Sequence, residues 1–500
     1  SREGTLGNEF TETTLHSPKL PKTQSSIDPS SDQTFPFARR TSHFAPPSQP
    51  VEFTIFMPNF PDHKCPASHI GRANCLSDGQ AFPLLRSIMI RRVFFLLLGC
   101  GLLLANSHAA RWFKGNLHTH SFWSDGDNFP EMIGAWYKSK GYHFLALSDH
   151  NILVQGEKWI TIGTNQVRQT ALARYRETFP DLVQVRTDGT NVQVRLTALP
   201  ELKRLLEQRG KFLLIPSEEI SAHYEKKPIH VNATNIRELI LPRGGNSVYE
   251  VMQNNIDAVL AQRQRTGQAM FPHLNHPNFH FAVTADDLMR LQGEKFFEVY
   301  NGHPAVFNDG DETRPGTERM WDIVLAWRLA ILDLEPMFGI AVDDSHNYHN
   351  DSPKAANPGR GWVMVRARRL TPEDLVHAME AGDFYASSGV TLKSVRRSRN
   401  ELRVEVDPQP DVEYTITFIG TKRDFVLKDL GDGKAEVDSA RIGQPLVEPI
   451  RGTKASYRLK QEDLYVRALI MSSKTKVNGL KPDELERAWT QPVVAPRPER

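Results

Sequence analysis

The stretch Gly115-Asn-Leu-His118-Thr-His120-Ser-Phe-Trp-Ser-Asp125-Gly126, followed by Leu147-Ser-Asp149-His150-Asn151, constrains this chain more than any other feature. Two histidines two positions apart on a strand put both imidazoles on one face, because strand side chains alternate with a period of two. Asp125, five positions on, and a second strand ending in Asp149-His150 supply further donors at the same strand ends. This is the front half of a polynuclear cation site, and it points to hydrolysis.

From Phe113 the chain alternates strand-like and helix-like runs. Strands are expected at Phe113–His120, Tyr142–Ser148, Lys211–Ile220, Ile229–Thr234, Ala269–His276, Phe296–Tyr300, Phe338–Val342 and Trp362–Ala367. Helices are expected at Pro130–Lys140, Leu199–Gln208, Ser247–Arg265, Thr284–Leu291, Glu318–Leu329 and Pro372–Ala381. Such alternation argues for a parallel sheet or an α/β barrel, with chemistry at the strands' C-terminal ends. Residues 152–199 interrupt the pattern. Their alternation around Asp188-Gly189 predicts a β-hairpin near the mouth, with a possible role as a substrate cap. After about Val390 short alternating runs predict a small β-sandwich over 391–475, followed by a tail over 476–500.

The first part of the chain reads differently. Residues 1–88 are rich in Ser, Pro, Thr and Gln, without sustained periodicity, and should not bury enough apolar surface to fold. Residues 89–110 have a basic pair, Arg91-Arg92, then a short apolar run and small residues ending at Ala109-Ala110. That is a secretory signal peptide layout, too short to span a bilayer comfortably. The expectation is that Met89 is the native start, that the upstream segment is not native, and that the mature protein is periplasmic or secreted without stable membrane insertion. Of the three cysteines, Cys65, Cys75 and Cys100, none follows this segment. Net charge is +2, from 61 basic and 59 acidic residues, so nothing argues for a nucleic-acid partner.

The candidate ligands, in order, are His118, His120, Asp125, His150, Glu219, His230, His276, Asp344 and His346. Each alone is weak, since a single histidine is more often a satisfied core or surface residue, as His143, His280, His303 and His377 are read here. Together they crowd between His118 and His349. Asp344 and His346 repeat the spacing of His118 and His120. Mixed imidazole and carboxylate donors suit zinc, manganese or iron better than calcium. Nine donors exceed the needs of one tetrahedral ion, so two or three divalent ions sharing carboxylates are expected, with Glu219 the natural bridge.

In sequence order, the segments HxH, SDG, SDHN, EEIS, IHVNA, NHPN and DDSH resemble the polymerase and histidinol phosphatase (PHP) superfamily, over roughly Arg111 to Gly389. The resemblance implies a distorted (β/α)7 barrel over 111–390 with a two- or three-metal site at its strand ends. It matches His118 and His120 to the first metal-binding pair, Asp125 and His150 to the next ligands, and Glu219 to the bridging carboxylate. His230 and His276 match the mid-chain histidines, Asp344 and His346 the terminal pair. Phe297-Glu-Val-Tyr-Asn301-Gly, Gly359-Arg-Gly-Trp362, Gly382-Asp-Phe-Tyr385-Ala-Ser-Ser-Gly389 and Ala488-Trp-Thr-Gln-Pro492 are similar to an exported branch related to carbamate (carbaryl-type) hydrolases.

Cations of this kind activate water and clamp the oxygens of an ester in line, which suits a small-molecule phosphate ester. A carbamate, carboxylic ester or amide hydrolase on the same scaffold is the alternative, and a non-catalytic binding protein the remote one. Asp149, Asn151, Glu298, Asn301 and Asp343 are candidates to hold ligand imidazoles in one tautomer. Strand-end or turn hydrogen bonding is equally open to them. His223, Arg314, Arg360, Lys226 and Lys227 are candidates to meet substrate, with surface solvation the competing role.

Overall fold

The computed structural model describes residues 109–496. The expectations for residues 1–88, and nearly all of the expected signal peptide, fall outside them. The elements run in chain order as β1 (Arg111–Asn116), α1 (Pro130–Ser139), β2 (Phe144–Leu147), β3 (Lys158–Thr161), α2 (Gln166–Thr178), β4 (Val185–Asp188), β5 (Asn191–Leu196) and α3 (Leu199–Leu206). Next come β6 (Leu213–Tyr224), β7 (Lys227–Thr234), α4 (Val248–Thr266), β8 (Phe271–Leu274), α5 (Ala285–Met289), β9 (Phe296–Asn301), α6 (Thr317–Ala330) and β10 (Phe338–Val342). Then follow β11 (Trp362–Ala367), α7 (Pro372–Glu380), β12 (Phe384–Ser387), β13 (Leu392–Arg397), β14 (Glu401–Val406), β15 (Tyr414–Lys422), β16 (Val426–Gly431) and β17 (Lys434–Val437). The chain ends with β18 (Gln444–Pro445), β19 (Ile450–Arg451), β20 (Lys454–Arg458), β21 (Asp463–Thr475), β22 (Leu485–Thr490) and β23 (Val493–Val494).

The architecture is mixed α/β, dominated by one large mixed sheet with smaller sheets beside it. Strands β1, β2 and β6 pair in parallel, β6, β7 and β8 pair antiparallel, and β8, β9 and β10 return to parallel. A parallel bridge, Thr119 with Ser345, joins the chain just past β1 to the chain just past β10. His120 N donates to Ser345 O and Asp344 N to His118 O, both at 3.0 Å. Phe113, Phe144, Phe271, Phe296 and Ile340, near the starts of their strands, share one buried cluster. The candidate ligands come from the other ends.

Strands and helices do not alternate throughout. Lys211–Ile220 and Ile229–Thr234 were expected as separate strands of an alternating series. Instead β6 and β7 are longer and close a hairpin at Glu225-Lys226, with Glu225 at φ +53°. A two-residue connection permits only antiparallel pairing. The polar residues 221–228 sit on a solvent-facing ribbon and so do not end either strand. The hairpin expected in the 152–199 insertion is β4–β5, joined by β3 into a three-stranded sheet. The insertion also contains α2, which its polar sequence does not announce. Only Ala171, Leu172 and Tyr175 of that helix are buried, and Asn165 caps it.

Beyond β12 the large sheet continues without a break. β12 pairs with β22, β22 with β21, and β21 with β15. The separate sheet β13–β14–β20 packs on this extension. Val395, Leu402, Val404 and Tyr457 meet Ile416, Phe418, Val466 and Ile470 in one buried cluster. Two sheets therefore face each other, as in a sandwich, but one belongs to the main sheet. Among the described residues no helix is long and apolar enough to cross a membrane.

Candidate metal centre

The histidine pair does not lie within β1, which ends at Asn116. His118 and His120 flank Thr119, the residue bridged to Ser345. That one bridge gives the extended backbone that turns both imidazoles to the same side, with Nε2 atoms 3.1 Å apart. Across the bridge, Asp344 and His346 flank Ser345 in the same way. Asp344 Oδ1 lies 3.2 Å from both Nε2 atoms. Asp344 holds φ +49°, a conformation costly for a residue other than glycine.

Glu219 on β6 is the meeting point. Its Oε2 lies 3.3 Å from His118 Nε2, 3.2 Å from His120 Nε2 and 2.9 Å from His150 Nδ1. Its Oε1 lies 2.9 Å from His230 Nδ1 and 3.4 Å from His276 Nε2. Strand alternation turns the neighbouring Glu218 the other way, where it accepts from Ile240 N at 2.6 Å. Asp125 sits at the rim, with Oδ1 3.4 Å from His346 Nε2 and Oδ2 3.5 Å from His150 Nε2. Four groups of donors result among the described residues: His118, His120 and Glu219; His118, His273 and Glu298; His150, Glu219 and His230; and His120, Asp125, His150 and His346. With Asp344 beside His118 and His120, and His276 beside Glu219, the nine predicted ligands come together.

These residues fit divalent cations. Glu219 Oε2 is buried and makes no hydrogen bond, although three imidazole nitrogens surround it. Bonds of about 2.1 Å in a tetrahedron separate neighbouring donors by about 3.4 Å, close to the spacings found. The field is strongly cation-attracting. Burial should push the Glu219 carboxyl up, but facing histidines hold it well below the usual carboxylate range. Burial should lower His118, yet Asp344, Glu219 and Glu298 raise it well above normal. His150, likewise opposed by burial, is pushed up to about 11 by Glu219 and Asp125.

The supporting shell is specific. Glu298 Oε1 accepts from His118 Nδ1 at 2.7 Å and its Oε2 from His276 N at 2.7 Å. Asn301 Nδ2 donates to Glu298 Oε2 at 2.7 Å and to Asp344 Oδ2 at 3.1 Å. Three positions apart on a regular strand, Glu298 and Asn301 would face opposite sides. A β-bulge solves this: Ile340 pairs with Glu298 and Ala341 with Tyr300, leaving Val299 as the extra residue.

Asp149 orients no imidazole directly. It accepts from the backbone and hydroxyls of Ser121 and Ser124, fixing the loop that carries Asp125. Asn151 clamps the Ser221 backbone on β6, and Ser221 Oγ lies 2.5 Å from His150 Nδ1. Asp343 accepts from Tyr137 OH and from the backbone N–H groups of Gly359, Arg360 and Gly361, so it anchors a loop.

The expected substrate cations are placed elsewhere. Arg360 is wholly buried and donates to the carbonyls of Gly302, Ala355, Ser352 and Asn478. Arg314 pairs with Asp311 and stacks on Phe281. Lys226 and Lys227 lie exposed at the hairpin turn. His223 is exposed on the β6 face that carries Glu219 and Ser221, towards the rim.

Sequence reasoning missed His273, whose Nε2 lies 3.3 Å from Glu298 Oε1 in full burial, and Asn275, which donates to Glu219 Oε1 at 2.7 Å. It also gave His303 only a structural role, whereas its ring lies 5.5 Å from that of His346. The spacing His273-x-x-His276 around Asn275 was the available signal.

No protein-family model and no curated protein matches the chain. Among solved structures it is similar to a two-domain protein containing a predicted PHP-like metal-dependent phosphoesterase from Bacteroides vulgatus ATCC 8482. That match has 15% identity and TM-score 0.34, over 76% of this chain and 95% of that one. A second is a candidate metal-dependent phosphoesterase from Bifidobacterium adolescentis ATCC 15703, at 11% identity and TM-score 0.22, over 46% of this chain and 87% of that one. Structural overlap at these scores is slight.

Proposed function

We propose that this protein is a metal-dependent hydrolase of phosphate esters, of the PHP type, built on a distorted seven-stranded barrel formed by β1, β2 and β6–β10. The observation that carries this reading is Glu219, whose two oxygens face separate groups of imidazoles. Bound divalent ions supply Lewis acidity and an activated water for hydrolysis. His118, His120 and His150 lie against one oxygen of Glu219 and His230 and His276 against the other, so these residues, with Asp344, would hold the ions.

Glu298 accepts a hydrogen bond from His118 Nδ1, which turns Nε2 towards Glu219 and Asp344. Asn275 and Asn301 hold Glu219 and Asp344 in register. Asp125, His150 and His346 are partly open to solvent, so substrate enters from their side. His223, exposed on the β6 face that carries Glu219, would meet it there. Arg314 and Arg360 are engaged elsewhere, so bound cations would be needed to meet the phosphate charge. That need favours more than one ion. Export to the periplasm or exterior is the companion proposal, supported by the composition of residues 89–110.

The test combines elemental analysis of the purified full chain with turnover assays after loading with Mn²⁺, Zn²⁺ or Fe²⁺. The substrates are bis(p-nitrophenyl) phosphate, p-nitrophenyl phosphate, 1-naphthyl N-methylcarbamate and p-nitrophenyl acetate. Two or three bound ions and chelator-sensitive turnover of a phosphate ester are expected. Turnover of the carbamate without either phosphate ester would overturn the phosphoesterase reading in favour of the ester or carbamate hydrolase. Absence of bound metal would overturn both.

A further inference from the structure

On the side of β9 away from the ligands lies a second cavity, of about 600 Å³, lined by none of the candidate metal ligands. Val299 and Tyr300 form its floor, and residues 304–310, the start of α6 and residues 480–489 form its walls. The volume lies within the roughly 300–1,000 Å³ of small-molecule sites. Its apolar surface comes from Val306, Phe307, Leu480 and Trp489, with Trp489 stacked on Tyr300 at 5.8 Å. Phe307 is 49% exposed, although its other face stacks on Phe281 at 4.9 Å. A large ring left half in water beside a concave apolar wall is a contact surface waiting for an apolar body.

The cavity lining carries three acids and three bases, yet one of the bases is left without an acidic partner. Each acid in the lining already has a basic partner. Asp309 pairs with Lys481 at 2.6 Å, Glu318 with Arg487 at 3.3 Å, and Glu484 with Lys476 at 3.0 Å. Lys354, exposed at the rim, has no carboxylate within salt-bridge reach among the described residues. An apolar interior with one uncommitted ammonium at its edge is complementary to a molecule with an apolar body and a single negative charge.

We propose that this cavity is a binding site for an amphipathic monoanion, its apolar part against Phe307, Leu480 and Trp489 and its carboxylate or sulfonate at Lys354. The site is independent of the metal centre, so binding should not require loaded ions.

The probe is 8-anilinonaphthalene-1-sulfonate, titrated into the full chain with and without chelator, with octanoate as competitor. One saturable site per chain is expected, unaffected by chelator and displaced by octanoate. Lys354→Glu and Phe307→Ala should each weaken binding by roughly fivefold or more. Val477→Ser, which removes a valine that is 98% exposed and outside the cavity, should not. Thermal midpoints confirm that each variant is folded. Non-saturable binding, or equal affinity in wild type, Lys354→Glu and Phe307→Ala, would overturn the proposal. Weakening by Phe307→Ala alone would overturn the anionic end of the assignment.

Discussion

Removing Asp322 should cost the fold more than any exposed charge could. Asp322 on α6 accepts from Arg467 on β21 at 2.9 and 2.6 Å and from Tyr465 OH at 2.8 Å. The two charged side chains are 1% and 4% exposed. Unit charges about 4 Å apart interact by about 4 kcal/mol at an effective dielectric near 20. Breaking a buried pair from one side costs about 3–5 kcal/mol, because the remaining charge stays desolvated. Asp322→Ala should therefore destabilise by about 4 kcal/mol. With a urea slope of about 3 kcal/mol/M, the unfolding midpoint should fall by about 1.3 M. Replacing both partners, Asp322→Leu with Arg467→Met, should recover most of that loss, since a buried pair exchanged for apolar side chains is often neutral. Tryptophan fluorescence during urea titration gives both midpoints. If the double variant is no more stable than Asp322→Ala, or the single variant shifts by less than about 0.3 M, the desolvation reasoning is wrong.

Three further outcomes are expected. His120→Ala and Asp344→Ala should each lose bound metal and activity while retaining wild-type circular dichroism; full turnover by either would remove that residue from the centre. Glu298→Gln should keep the fold but weaken metal affinity by about 10–100-fold, measured by competition with a chelator; unchanged affinity would show that Glu298 does not orient His118. Lys476 is buried, and burial, only partly offset by Glu484, lowers its pKa from 10.5 to about 8. Between pH 8 and 10.5 the unfolded chain binds more protons there, so this group's contribution to stability rises with pH across that window, by up to about 3 kcal/mol. Lys476→Met should flatten that part of the stability–pH curve; an unchanged slope would mean that the ammonium is effectively solvated.

The nine candidate ligands were legible because their chemistry is in their residue types, and the spacing His-x-His or Asp-x-His survives even where only one bridge pair stands in for a strand. What orients them was less legible. Glu298 and Asn301 share a face only because Val299 is bulged, and alternation alone puts them on opposite sides. His273 looks like an ordinary core histidine until Glu298 is seen beside it. Arg360 reads as a loop cation, but backbone carbonyls from two separate segments and its own loop consume its donors, a pattern that only tertiary structure creates. In the fold, most strands and helices followed from periodicity. The β6–β7 hairpin did not, because polar solvent-facing strand residues resemble a loop.

The unbroken hydrogen bonding from β11 through β12 to β22 has a practical cost for anyone trimming the chain. A fragment ending near residue 390 would bare the rim of β12, offering unpaired N–H and C=O groups to any passing strand. Such a fragment would be expected to clump, even though every candidate ligand would still be present in it.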